Sequence, residues 1–185
     1  MSNKILVTYA TRTGTTPGVA EAIGKTLAEG GAQVDVLPMQ EVTDLTPYGA
    51  VVAGSAIQDR QWLPEAVEFI RAHREELDKK PFATFTVCMT LAMKNGEQYR
   101  PAVVDWVRPI HALVEPVSAG HFAGALDIRK IPGAGVRLKF RISVLFGVWT
   151  EGDHRDWTAI RAWAEGLRPL LNEHGPSSLN IPAGD

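Results

Sequence analysis

The hexapeptide Thr11-Arg12-Thr13-Gly14-Thr15-Thr16 carries the donors needed to hold a doubly charged anion. Its four hydroxyls can each donate a hydrogen bond, and Gly14 permits a tight turn with backbone N–H groups facing inward. A helix-like pattern beginning at Thr16 aims its positive end at the same point. The apolar run Lys4–Tyr9 that leads into this cluster is too short for a secretory core and too β-branched to favour a helix, so it reads as a buried parallel strand. A strand ending in such a turn before a helix is a phosphate cradle; the competing reading is a βα turn whose threonines only cap the helix. No Gly-Lys-Ser/Thr and no G-x-G-x-x-G follows, which excludes those nucleotide loops and favours a mononucleotide phosphate. Arg12 either adds positive charge there or faces solvent.

Two further segments follow predicted strands, where open α/β sheets place their ligands. One is Gly54-Ser55-Ala56-Ile57 continuing to Trp62, and the other runs Cys88-Met89-Thr90-Leu91-Ala92 to Gly96. Trp62 either stacks on a planar ligand or packs at a helix edge. Cys88 is the only cysteine, so an internal disulfide is excluded, and its apolar neighbours suit a packed side chain better than a nucleophile. The five histidines show no H-x-x-x-H pair, so no metal is expected. The cysteine count fits a reducing, cytoplasmic setting. A net charge of −2 gives little attraction to nucleic acid, and little of the acidity of a carrier that docks on basic partners.

The elements that must position these residues alternate strand and helix along nearly the whole chain, the pattern of a parallel sheet covered on both faces. Strands are expected at 33–37, 50–53, 82–87 and 116–122 after the first, with helices at 16–29, from Pro64, at about 101–112, and from an N-cap at Asp153. The 185 residues suit one α/β domain, 1–173, with an insertion at about 127–149 and a disordered tail at 174–185.

That insertion is basic and apolar together. Arg129, Lys130, Arg137, Lys139 and Arg141 lie amid Leu138, Phe140, Ile142, Leu145, Phe146 and Trp149. Alternation over 136–143 suits a strand, while Leu138, Ile142, Leu145 and Trp149 fall together at helical spacing. Charge and length exclude a transmembrane helix. The segment either lies on an anionic membrane surface or packs on the edge of its own domain.

The hexapeptide resembles the T-x-T-G-x-T phosphate loop of the flavodoxin family, at the place where that family carries it. The resemblance implies a flavodoxin-like three-layer sandwich with strand order 2-1-3-4-5. It also implies FMN, its phosphate on Thr11–Thr16 and its ring between Ser55–Trp62 and Cys88–Gly96. Flavodoxins usually place a tyrosine in that second ring loop; Thr90-Leu91-Ala92-Met93 has no aromatic residue, so one ring face is expected to be open. Gly54-Ser55-Ala56-Ile57, Phe122-Ala123-Gly124-Ala125-Leu126-Asp127, Thr150-Glu151-Gly152-Asp153 and Asp156-Trp157 are similar to the quinone-linked protoporphyrinogen IX dehydrogenase branch of that superfamily, across residues 4 to about 172. That resemblance implies an FMN-dependent dehydrogenase taking a porphyrinogen-like substrate and a quinone, with peripheral membrane contact through the insertion. The flavin would carry the chemistry, so no side chain is assigned as acid or base. The alternatives are a flavodoxin-type electron carrier without its own substrate and an FMN-binding sensor or assembly module. Nothing in the sequence specifies an oligomeric state.

Overall fold

A computed structural model of the chain describes residues 4–130 and 133–172. The expected tail at 174–185 and the side chain of Lys130 lie outside the described residues. Five parallel strands, β1 (Lys4–Ala10), β2 (Gln33–Pro38), β3 (Ala50–Gln58), β5 (Phe82–Cys88) and β6 (Ser118–Ala123), form a sheet in the order β2-β1-β3-β5-β6. This is the expected flavodoxin-like order, with β5 and β6 as its fourth and fifth parallel strands. Strands in such a sheet are apolar on both faces because each face meets helices. Leu6, Val51 and Ala53 pack toward α2 (Pro64–Ala72) and α4 (Arg100–His111), through Phe69, Ile70, Val107 and Ile110. Their chain neighbours Ile5, Val7 and Val52 meet α1 (Thr16–Glu29) and α6 (Trp157–Asn172), through Val19, Ile23, Ile160 and Leu167. A short α3 (Arg74–Leu77) follows α2.

Two expectations are corrected, and one alternative left open is decided. Strand β3 continues through Gln58, turns at Asp59 and Arg60, both at positive φ (51° and 64°), and pairs antiparallel with β4 (Gln61–Trp62). Ser55, Ala56 and Ile57 are therefore strand residues, not loop residues. The last helix starts at Trp157, because Asp156 is its cap: the Oδ1 of Asp156 accepts from the backbone N–H of Thr158 (3.0 Å) and Ala159 (2.9 Å). Asp153 instead belongs to β8 (Gly152–Asp153), which pairs with β7 (Ala125–Leu126). The insertion is helical, but the stripe expected at Leu138, Ile142 and Leu145 is exposed and a different one packs inward. Residues Ala134–Leu145 form α5, whose Phe140 and Val144, four residues apart, pack with Trp149 against Leu126 and Ile128.

One buried polar group gives this fold an acid-sensitive element. The Nδ1 of His121 on β6 is buried without a hydrogen-bond partner. Burial, reinforced by the charges of His111 and Arg100, pushes its pKa down to about 4. An unfolded histidine titrates near 6.5, so the folded state takes up its proton less readily, and stability present above that pH is lost as the pH falls toward 4. Because the ring is only partly buried, the expected loss is about 1–2 kcal/mol by pH 4. Urea midpoints at pH 7 and pH 4.5 should fall further in the natural protein than in His121→Gln; equal falls would refute the assignment.

Candidate functional site

The carboxyl ends of β1, β3 and β5 meet the N-terminus of α1 at one rim. Gly14 turns the loop at φ +79°, and its N–H donates to Thr11 Oγ1 at 3.1 Å. Thr15 leaves the helix uncapped, because its hydroxyl donates to the Ala125 carbonyl instead (3.3 Å). Thr16 Oγ1 is fully buried and has no hydrogen-bond partner. An unpaired buried hydroxyl costs about 1–3 kcal/mol, so this arrangement fits an acceptor supplied from outside the chain. Uncapped helix N–H groups and their dipole make that acceptor an anion.

A cavity of about 390 Å³ opens beside this loop, within the range of about 300–1,000 Å³ usual for small-molecule sites. Arg12, Thr13, Thr15 and Thr16 form its polar end, and Ala56, Ile57, Val87 and Met89 one apolar wall. Gly124–Asp127 and, from α5, Val136 and Phe140 close it. A second cavity of about 640 Å³ shares Ile57 and Met89 with the first and carries Tyr99, Trp106 and Trp149. Cys88 and Thr90 also line that second space. Gly14 lines a small polar cavity of about 70 Å³ next to the loop.

Other expected contacts lie elsewhere. Ser55 is buried, and its Oγ accepts from the Leu63 N–H (3.1 Å) and donates to the Ala56 carbonyl (2.8 Å). Leu91 is buried beside Cys88 and Val103, Ala92 closes the short helical turn Met89–Ala92, and Gly96 is buried under the Leu91 carbonyl. None of these three lines either cavity, so Leu91 is not where an open ring face would be filled. Arg12 lines the polar end of the first cavity but is half exposed, its guanidinium donating to Gln58 and Glu65, both at 3.3 Å.

Trp62 is the clearest correction. Only 1 % exposed, it packs in the core under α2, and its Nε1 donates to Thr86 Oγ1 at 3.0 Å. The β3–β4 turn carries it inward, away from the cavity. Trp62→Phe should therefore cost about 1–3 kcal/mol in urea unfolding, by stranding the Thr86 hydroxyl, and change flavin affinity less than twofold. A large affinity loss with unchanged stability would restore the stacking role.

Sequence reasoning missed Phe140 and Val136 as wall residues, since the insertion could not be placed without its helix. It also missed Arg155, which the β7–β8 pair sets against the threonine loop.

A family model described as a flavodoxin domain matches residues 6–142. The protoporphyrinogen IX dehydrogenase (quinone) of Escherichia coli strain K12 is 27 % identical over 127 residues, covering 66 % of this chain and 69 % of that protein. A protein of the same name from Leishmania major is 26 % identical over 176 residues, 91 % of this chain and 76 % of its own. Among solved structures, a flavodoxin from the domain Archaea superposes with a TM-score of 0.55 at 16 % identity, covering 91 % of this chain and 98 % of that one.

Proposed function

The chain belongs to the flavodoxin-domain family, and from that premise we propose that it is an FMN-dependent dehydrogenase of a reduced, planar, apolar substrate of the protoporphyrinogen class, with a quinone as acceptor. It would work in the cytoplasm at the membrane surface. FMN is the cofactor of the family, and the cradle built by Thr13, Thr15, Thr16 and the N-terminus of α1 fits its phosphate. When bound, FMN supplies the ring that accepts the substrate's electrons and delivers them to the acceptor. The chain's own part is to hold that group and to exclude water with Ile57, Met89, Val136 and Phe140.

The observation that carries the proposal is the second, aromatic-walled cavity adjoining the first across Ile57 and Met89. Ile57, Cys88, Met89 and Thr90, from the two segments expected around the FMN ring, line this space together with Tyr99, Trp106 and Trp149, so a planar apolar substrate could meet the ring against aromatic walls. The two relatives named as quinone-linked protoporphyrinogen dehydrogenases support the same substrate class.

The outer side of α5 supports a place at the membrane. Leu138, Ile142, Leu145 and Phe146 are exposed, the last two at 83 % and 78 %. Arg137, Lys139 and Arg141 stand among them, exposed and without an acidic partner among the described residues. Arg129 is paired with Asp127 at 3.0 Å. Among the described residues no helix is long and apolar enough to cross a membrane, so contact would be peripheral.

The test is anaerobic turnover by the FMN-loaded protein. Porphyrin fluorescence should rise with protoporphyrinogen and a water-soluble quinone, and faster than electrons are shuttled from a flavodoxin reductase to an acceptor protein. Shuttling without porphyrin formation would make the protein a carrier.

A further inference from the structure

Arg155 occupies a position against the threonine loop that no local sequence feature announces. Its Nε and Nη2 donate to the two carboxylate oxygens of Asp153, at 2.7 and 2.8 Å, and its Nη1 donates to the Thr15 carbonyl at 3.3 Å. The guanidinium lies over the Trp157 ring, 4.3 Å from its centroid, and the side chain is only 18 % exposed. Gly18 leaves the space it fills, since a Cβ there would come within 2.8 Å of Nη1. Fixed from three sides, the group borders the small polar cavity with Thr13, Gly14, Thr15, Ala125 and Asp127.

A guanidinium has five N–H donors, and these bonds use three, which leaves one on each terminal nitrogen. Asp127 borders the same space and would oppose an anion, yet its carboxylate is bonded by Arg129 Nε and Nη2 at 3.0 and 3.1 Å. Thr16, whose hydroxyl is buried and unpaired, lines the adjoining cavity, which shares Thr13, Thr15, Ala125 and Asp127 with this one.

We propose that Arg155 is the cation of the phosphate site, binding the phosphate of FMN in the small cavity it shares with Thr13, Gly14 and Thr15. Arg12, open by sequence between adding charge there and facing solvent, bonds Gln58 and Glu65, whereas the planar fork of Arg155 is already oriented by Asp153 and Trp157. The inference rests on the FMN reading of this cavity.

Flavin-free protein titrated with FMN and with riboflavin, in the natural form and as Arg155→Gln and Arg155→Lys, separates the possibilities. The natural protein should prefer FMN. Arg155→Gln should lose about tenfold or more in FMN affinity with riboflavin affinity unchanged, and Arg155→Lys, keeping charge without the fork, should recover part of the loss. The FMN preference should also weaken with salt less in Arg155→Gln than in the natural protein. If the natural protein binds both flavins equally, the phosphate reading of the site itself fails. If it prefers FMN and Arg155→Gln prefers it just as much, only the role of Arg155 is overturned. If the substitution weakens both flavins alike, Arg155 is a brace of the β7–β8 pair and the proposal is again overturned.

Discussion

Replacing Thr13 and Thr16 together with valine is expected to lower FMN affinity about 100-fold while leaving riboflavin affinity nearly unchanged. Both threonines line the polar end of the cavity, and both hydroxyls would donate to a charged phosphate. Hydrogen bonds to charged groups contribute about 1.5–3 kcal/mol each, so losing two costs at least about 3 kcal/mol. The same change should act in the opposite direction on the flavin-free protein. Thr16 Oγ1 is buried and unpaired there, and valine has nearly the same shape without the polar atom. Removing that unsatisfied group should stabilise the flavin-free fold by about 1 kcal/mol. Calorimetric titration with both flavins and urea unfolding without flavin check the pair of effects. A loss of stability together with equal loss of both flavins would mean that the threonines merely hold the turn.

Changing Arg137, Lys139 and Arg141 on α5 to glutamine should reduce binding to anionic vesicles about 100-fold, with flavin content untouched. Each basic residue near such a surface contributes about 1 kcal/mol, giving about 3 kcal/mol for three. The natural protein should sediment with phosphatidylserine-containing vesicles at low salt and release as salt rises, because exposed charges are screened over about 10 Å at 0.1 M. Leu145→Ser and Phe146→Ser together should weaken binding at high salt as well, since they remove exposed apolar surface rather than charge. Absence of sedimentation at low salt, or indifference to the triple change, would leave α5 as an edge-packing element of its own domain.

The parallel sheet was legible because both sides of each central strand are apolar, as Ile5, Leu6 and Val7 show, and because helix spacing is plain in α1. The threonine loop was legible because its residues are consecutive. The β3–β4 turn was not: Asp59 and Arg60 adopt positive φ without a glycine or asparagine to announce it, so Ser55–Ile57 read as loop and Trp62 as a rim residue. The second ring segment misled for a related reason. Apolar Leu91 can face a ligand or the core equally well by composition, and its packing against Val103 decides the matter. Arg155 and Phe140 come to the site through the β7–β8 pair and α5, contacts between segments far apart in the chain that no local pattern encodes.

The most direct test of the account is anaerobic stopped-flow on the FMN-loaded protein, following flavin absorbance while substrate and acceptor are added in separate mixings. Protoporphyrinogen alone should bleach the oxidised flavin, and a quinone alone should restore the absorbance of the reduced protein in a second mixing, both without any partner protein. A flavin that protoporphyrinogen leaves oxidised, but that a flavodoxin reductase reduces readily, would contradict the account and make this chain a carrier.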